Sequence, residues 1–329
     1  MSRFSDFGNA LYSGEKSINF VGRRKVFYIV AGVMLILAIL LPLRTGGFNF
    51  GIEFKGGSEY RVIDSNIHND QLAVTTIHEV VKREVQVNVS DVGTNTIRIQ
   101  TEQLADQTSE DVRVALSVAY KVDDTKVSSS FIGPNWGADI TSKAVTGLLT
   151  FIALAAILMA LYFRTLKMSI AAISSLLHDL VITAGVYGAF GFEVTPAAVI
   201  GFLTILGYSL YDTVVVFDKI RENTADVEHS ETATFAERVN LAINQTLVRS
   251  INTSVVAVLP VASILFIGAF VLGAGTLRDI SLALFIGIIV GTYSTIFIAA
   301  PLYSQLREGE EKYAKAAKKV LSRREASQS

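Results

Sequence analysis

Six long apolar segments constrain the fold of this chain more than any other feature of its sequence. They cover residues 26–43, 140–163, 168–191, 196–217, 250–272 and 279–304. Each is about 18–26 residues long, and a helix of that length crosses a hydrocarbon core of roughly 30 Å. Only 18% of the 329 residues are charged, whereas a soluble protein carries about 25%. The sequence therefore predicts a polytopic α-helical membrane protein with six transmembrane helices.

The composition argues against several classes of function. A net charge of −1 and the lack of a basic stripe disfavour nucleic acid as a partner. There is no cysteine, and only one of the four histidines lies in an apolar segment, so we expect no metal and no cofactor. The sequence also lacks the catalytic constellation that an intramembrane enzyme needs, because the adjacent His178 and Asp179 project about 100° apart on a helix. We therefore expect no enzymatic activity.

The charges of the short loops predict how the chain is oriented in the membrane. The loop 164–167 contains Arg164 and Lys167, whereas the loop 192–195 has no basic residue and carries Glu193. Positive loops stay in the cytoplasm, so we expect a bacterial plasma-membrane protein with both termini cytoplasmic. The first apolar segment follows basic residues and has no small-residue cleavage site, which predicts a retained signal anchor.

This orientation divides the chain into seven parts. We expect a cytoplasmic N-terminal segment, a first span, an extracytoplasmic domain, three further spans, a cytoplasmic amphipathic connector, the last two spans and a basic cytoplasmic tail. Their predicted bounds are 1–25, 26–43, 44–139, 140–217, 218–249, 250–304 and 305–329. The domain and the connector have patterns of their own.

The extracytoplasmic part contains short segments in which apolar and polar residues alternate, together with two amphipathic helices. Strands are predicted at 48–54, 58–63, 85–92, 96–100 and 126–132, and helices at 69–84 and 109–120. From residue 58 onward the order is β-α-β-β-α-β, which is typical of the ferredoxin-like split βαβ arrangement. The predicted fold is thus a membrane helix bundle with one extracytoplasmic α+β domain.

In the connector, Thr234 and Glu237 fit a capping box that opens an amphipathic helix. Such a helix could transmit motion into the fifth span, or it could simply return the chain along the membrane surface. We favour the plain connector, because an amphipathic pattern indicates where a helix lies and not what it does.

Ionisable and polar side chains inside the spans are the candidate functional residues, because each charge there costs about 2.5–3.5 kcal/mol. The third span contains His178 and Asp179, the fourth contains Asp212, and Arg249 begins the fifth. Asp212 and Arg249 are expected at similar depth and could form a pair. With His178 and Asp179 deeper in the membrane, this pair could be part of a proton or ion path. The alternative is that Asp212 is a hydrogen-bonded structural group and Arg249 extends to lipid phosphates.

Other polar residues lie beside these charges. On the fourth span Thr204, Tyr208 and Asp212 recur at i, i+4 and i+8, and Asn252 follows Arg249 by three residues. Each set is expected on one helix face. The sequence thus predicts one polar stripe on the fourth span.

Several motifs resemble the SecD/SecF family of protein-export membrane proteins, within the RND superfamily. Residues 51–57, Gly-Ile-Glu-Phe-Lys-Gly-Gly, resemble the element that opens the family's first extracytoplasmic domain. Residues 206–223, 244–254 and 286–301 extend the resemblance over nearly the whole chain. In this chain Glu53 and Lys55 replace the family's usual Asp and Thr, whereas Gly56 and Gly57 match its domain-base turn.

The resemblance implies an RND-like half that uses the proton-motive force to assist late export of polypeptides. It implies proton movement at Asp212 and Arg249, with Na⁺ as the alternative coupling ion. The implied partners are a SecD subunit, the SecYEG channel, YajC, YidC and the exported unfolded polypeptide. Two alternatives remain open: half of an RND-type small-molecule transporter, and a passive scaffold that acts by packing alone.

Overall fold

A computed structural model describes residues 3–92, 95–268 and 275–327 of the chain. In these residues we number twelve α-helices and six β-strands in chain order. Helices α1–α12 are Arg3–Ser13, Arg24–Arg44, Ile52–Lys55, Asp70–Val81, Asp106–Tyr120, Pro134–Phe163, Leu166–Phe190, Pro196–Thr224, Phe235–Ser263, Gly275–Ser294, Ala300–Glu308 and Glu311–Ala326. Strands β1–β6 are Asn49–Phe50, Gly57–Ile63, Val87–Val92, Thr96–Thr101, Val127–Ile132 and Glu193–Val194.

Six helices are long and apolar enough to cross a membrane, as the sequence predicted. Their bounds are Arg24–Arg44, Asn135–Phe163, Leu166–Phe190, Pro196–His229, Phe235–Gly268 and Gly275–Glu308. About half of the third and sixth spans is buried inside the bundle (56% and 50%), but only 11% of the first and second. The third and sixth spans therefore form the centre, next to the fourth.

The segment between the first two spans folds as the predicted β-α-β-β-α-β unit. Its antiparallel sheet has the order β3-β4-β2-β5, with Tyr60 opposite Ile99 and Val62 opposite Val127. Helices α4 and α5 cover one face, where Tyr60 and Leu116 are fully buried. The other face is polar and lies over the turn between α7 and α8. This is the ferredoxin-like arrangement.

The predicted strand at 48–54 is wrong over most of its length. Pairing ends after Phe50, and the backbone then turns into the single helical turn α3. The N–H groups of Phe54 and Gly56 donate to the carbonyls of Gly51 and Ile52 at 3.0 and 2.7 Å. Alternation of apolar residues does not reveal this turn, because it is too short to have a helical period. The helix of the following span begins at Pro134, six residues before the predicted start at residue 140.

The connector is not separate from the fifth span. Helix α8 continues to Thr224, and α9 begins at Phe235 and runs through residue 249 to Ser263 without interruption. The capping box of Thr234 and Glu237 forms as predicted. The amphipathic part and the span are thus one helix, because nothing in the sequence near residue 249 interrupts the backbone hydrogen bonds.

The chain ends pack on this helix. Asn244 and Asn240 accept hydrogen bonds from the N–H groups of Ile18 and Phe20, both at 2.8 Å. Helix α12, in the predicted basic tail, contributes Arg324, which forms an ion pair with Glu237 at 2.7 Å. Both chain ends therefore lie at the end of the bundle opposite the α+β domain.

Candidate functional site in the membrane spans

Asp212 lies in the packed region between α8 and α9. Its side chain is 6% exposed, and its Oδ1 accepts a hydrogen bond from the hydroxyl of Ser250 at 2.9 Å. The other carboxylate oxygen, Oδ2, has no hydrogen-bond partner among the described residues. A buried carboxylate with one free oxygen can take up a proton there without breaking its existing hydrogen bond.

Arg249 does not pair with Asp212 in this structure. The arginine side chain is exposed on the outer face of α9, and no ion pair joins the two residues in the described part of the chain. Consecutive residues on a helix point about 100° apart. The rotation that brings Ser250 to the carboxylate therefore turns Arg249 away from it.

Asp179 forms the second buried acidic site, on α7. It is 1% exposed, and its Oδ2 accepts a hydrogen bond from the hydroxyl of Ser209 on α8 at 2.6 Å. His178 Nδ1 lies 3.4 Å from Asp179 Oδ1, and His178 Nε2 has no partner among the described residues. Each of the two buried acids is thus bound by a serine from the next span.

Sequence reasoning missed the two serines and several hydroxyl pairs around them. Ser175 donates to Ser294 at 2.9 Å, and Thr213 lies 3.0 Å from Thr295. Ser254 also bonds Thr292. Interhelical hydrogen bonds of small hydroxyl groups hold membrane helices together, so Ser and Thr spaced along apolar segments were the available signal. We call the two acids, the serines that bind them and these hydroxyl pairs the polar belt.

The predicted polar stripe is divided between the inside and the outside of the bundle. Asp212 is buried, Tyr208 is half-buried, and Thr204 is exposed and bonds only to the Ile200 carbonyl of its own helix at 2.7 Å. Asn252 on α9 is exposed as well. With Arg249, these side chains form a polar outer face on α8 and α9.

The domain-base turn lies between α3 and β2. Gly57 has φ +150°, and a Cβ there would collide with the carbonyl oxygen of Thr101, so only glycine fits. Gly56, with φ +78°, ends α3 by donating to the Ile52 carbonyl at 2.7 Å. Burial, together with the negative charges of Glu193 and Glu59, raises the pKa of Glu53 above its ordinary value of 4.5.

Two family descriptions match this chain. "Protein export membrane protein SecD/SecF, C-terminal" matches residues 112–309, and "SecD/SecF GG Motif" matches residues 45–62. The second range contains the domain-base turn. Together the two matches include α8, α9 and every residue of the polar belt.

Relatives from several bacteria are similar over nearly the whole chain. The protein translocase subunit SecF of Streptomyces coelicolor is 43% identical over 98% of this chain and 86% of its own length. That of Mycobacterium tuberculosis is 42% identical, over 97% and 73%. The protein translocase subunit SecDF of Thermus thermophilus is 30% identical over 92% of this chain, but only 40% of its own length.

A crystal structure of SecDF, a translocon-associated membrane protein from the same Thermus species, superposes on this chain. The TM-score is 0.75 with 30% identity, covering 89% of this chain and 39% of SecDF. The predicted fold class is confirmed. The chain thus spans about two-fifths of the length of SecDF.

Proposed function

The chain belongs to the SecD/SecF family of protein-export membrane proteins, and we propose that it couples the proton-motive force to late steps of polypeptide export. It is the SecF-type subunit of the Sec machinery. The observation that carries the coupling is the geometry of Asp212, a carboxylate buried among the spans with one oxygen bound by Ser250 and the other free. Buried intramembrane acids of this kind mark ion pathways.

The proposed mechanism uses the change in charge at Asp212. The ionised carboxylate attracts the hydroxyl of Ser250 and the positive charge of nearby Arg249, whereas the protonated acid is neutral and holds α9 less strongly. Alternation between these states would shift α9 against α8. The driving ion in this proposal is H⁺, with Na⁺ as the alternative, and no cofactor takes part.

A SecD-type subunit is the partner of this chain, as the fused SecDF relative indicates. We place its contact on the polar outer face of α8 and α9. Arg249, Asn252 and Thr204 are exposed there, and leaving an arginine in contact with lipid costs about 2.5–3.5 kcal/mol. A second bundle of spans would cover these groups and add charges next to Asp212. SecYEG, YajC, YidC and the exported chain are further proposed partners.

The proposed orientation places the α+β domain outside a bacterial plasma membrane. The support is the distribution of positive charge: Arg164 and Lys167 lie at the junction of α6 and α7, at the end of the bundle where Lys167 pairs with Glu310 next to α12. The emerging polypeptide would then meet the domain on the outer side.

The test is export of a reporter protein in cells that lack the native copy. Asp212→Asn keeps the shape of the side chain and removes its charge. We expect export to lose its stimulation by the proton gradient while the membrane level of the variant stays normal. Asp218→Asn is the matched control, because Asp218 lies on the same helix and bonds only the hydroxyl of Tyr162 on the bundle surface.

Normal export by Asp212→Asn at normal protein level would refute the proposal and favour the passive scaffold. Purified vesicles that move a small molecule in response to a proton gradient, without any translocase, would favour the RND-type transporter instead. An export rate that follows the Na⁺ gradient rather than the pH gradient would identify Na⁺ as the coupling ion.

A further inference from the structure

The α+β domain is joined to the spans by a pair of short parallel strands. Asn49 and Phe50 of β1 pair with Glu193 and Val194 of β6, in the turn between α7 and α8. The N–H of Gly51 extends this pairing by donating to the Val194 carbonyl at 3.0 Å. The base of the domain therefore touches the segment that leads directly into α8.

Side chains of the polar sheet face continue this contact. Arg98 of β4 forms an ion pair with Glu193, and these two side chains are only 14% and 12% exposed. Gln100 donates to Glu193 at 2.9 Å and to Glu59 at 3.2 Å, and Glu59 pairs with Arg61 at 2.7 Å. We call Glu53, Glu59, Arg61, Arg98, Gln100 and Glu193 the domain joint.

Glu53 is the member of the domain joint whose charge is not paired. Its Oε2 is buried and has no hydrogen-bond partner among the described residues. A Cβ built on Gly51 would collide with this oxygen and would lie 3.0 Å from Oε1 of Glu193. The carboxylates of Glu53 and Glu193 therefore converge on the same small space.

The charged side chains around this space carry a net negative charge. They are Glu53 on α3, Glu59 and Arg61 on β2, Asp70 on α4, Arg98 on β4, Glu193 on β6, and Arg278 and Asp279 on α10. Lys55 of α3 is exposed. Five carboxylates and three guanidinium groups leave two negative charges in excess when all are ionised. Among the described residues Glu53, Asp70 and Asp279 form no ion pair, but Asp70 is exposed and Asp279 accepts a hydrogen bond from the hydroxyl of Thr195. Glu53 is the acid of these three whose buried oxygen has no hydrogen-bond partner, so a proton on Glu53 would reduce the excess most directly.

Water-borne protons have a route to Glu53. A cavity of about 240 Å³ is lined by Glu53, Arg61, Arg98, Thr195 and Asp279. It lies between the sheet and the ends of α8 and α10. Glu53 can therefore exchange protons with the aqueous phase on the domain side, separately from the polar belt inside the membrane.

We propose that Glu53 is a proton-operated switch of the domain joint: protonated Glu53 keeps the polar sheet face on Glu193, and ionised Glu53 releases it. When Glu53 is ionised, its charge repels Glu193 and competes for Arg98, so the contact between domain and spans weakens. The inference goes beyond the proposed coupling at Asp212 and does not depend on it.

The raised pKa of Glu53 sets the direction of the pH dependence. Burial and the charges of Glu193 and Glu59 raise this pKa in the closed joint, and opening the joint to water removes these causes. The closed joint is therefore stabilised in full below about pH 4.5, and this stabilisation is lost as the pH rises through the raised pKa. Each unit of difference between the pKa of Glu53 in the closed joint and in the open joint changes the closed-to-open ratio about tenfold between acid and alkaline pH.

The test measures the distance between the domain and the spans by pulsed electron spin resonance. The chain has no cysteine, so spin labels can be placed with Val118→Cys on α5 and Ile289→Cys on α10, whose side chains are 73% and 53% exposed. The full-length chain, purified with its SecD subunit in lipid nanodiscs, is titrated from about pH 4.5 to 8.5. We expect a single distance at acid pH and a second, longer distance that grows as the pH rises.

Three variants separate the switch from a general effect of pH. Glu53→Gln cannot ionise and should keep the short distance over the whole titration. Arg98→Gln removes the ion pair with Glu193 and should show the longer distance even at acid pH. Glu79→Gln, an exposed position on α4 outside the joint, should behave like the unsubstituted chain.

Two outcomes would overturn the proposal. One is a distance distribution of the unsubstituted labelled chain that does not change with pH. The other is a Glu53→Gln variant that opens with the same midpoint as its parent. The first readout needs no substitution in the joint, so a variant that fails to fold does not prevent the test. The export assay of Asp212→Asn is a separate measurement, and its result does not decide this one.

Discussion

The close contact between α8 and α10 depends on Gly287. A Cβ added to Gly287 would collide with Cγ1 of Ile205 and would lie only 2.9 Å from Cβ and Cγ2 of the same residue. Carbon atoms in ordinary contact are about 3.5–4.0 Å apart. Gly287→Ala therefore forces the two helices apart by up to about 1 Å or drives Ile205 from its rotamer. Overpacking of this kind costs about 1–3 kcal/mol.

The matched control is Gly207→Ala on α8. Gly207 is exposed, and a Cβ there would meet nothing within 4 Å. Because alanine is favoured over glycine inside a helix by about 0.8–1.0 kcal/mol, this variant should be as stable as the parent or slightly more stable. Unfolding of both purified variants in a graded detergent mixture, followed by helical circular dichroism, gives the two free energies of unfolding.

The difference between the two variants is the decisive quantity. We expect Gly287→Ala to unfold more easily than Gly207→Ala by about 1–3 kcal/mol, which is the cost of overpacking, because the gain in helix propensity is the same in both variants and cancels. Equal free energies of unfolding would refute the reasoning, because they would mean that α8 and α10 do not pack through Gly287. A second alanine at Gly291 should add a smaller loss, since its Cβ would lie 3.1 Å from the side chain of Ser209.

Two further predictions concern single hydrogen bonds and a buried phenol. Ser209→Ala removes the hydroxyl that binds Asp179. We expect proton-dependent export to fall roughly 3- to 18-fold, equivalent to about 0.6–1.7 kcal/mol. Ser174→Ala should leave export unchanged, because the Ser174 hydroxyl bonds the Ile170 carbonyl of its own helix α7. Equal rates for the two variants would contradict a role of the Asp179 hydrogen bond. Burial raises the pKa of Tyr120 to about 12, so the domain should lose stability as the pH rises from about 10 through 12. Thermal unfolding across this range should show a decline that Tyr120→Phe lacks, and a decline of equal size in both proteins would exclude this tyrosine as its cause.

The sequence allowed the spans and the order of the domain to be predicted, because both depend on local periodicity. Each span is a long apolar segment, and the strands from Gly57 to Ile132 alternate in period two around helices of period 3.6. The capping box at Thr234 was predictable for the same reason, since its two side chains are three residues apart.

Contacts between distant residues were not predictable in this way. The predicted pair of Asp212 and Arg249 does not form in this structure, because the rotation of α9 about its axis brings Ser250 rather than Arg249 to the carboxylate. That rotation depends on packing against α8 and α10 rather than on local pattern. The domain joint joins Arg98 to Glu193 across 95 residues of chain, and no periodicity in either segment indicates the other.

The polar belt and the domain joint are connected through the same helix. On α8, Ser209 binds Asp179 of α7, and Asp212, three residues later on the same face, binds Ser250 of α9. At its other end α8 follows directly on β6, which carries Glu193, and its N-cap residue Thr195 donates to Asp279 of α10 at 2.9 Å.

A shift of α8 along its axis therefore changes three contacts at once: one to each buried acid and one to the domain. The proposed charge change at Asp212 and the proposed release of the domain joint would therefore act on the same element, the helix α8 that runs from Pro196 to Thr224. A helix that moves as a unit against packed neighbours would connect the two without a separate chain of contacts.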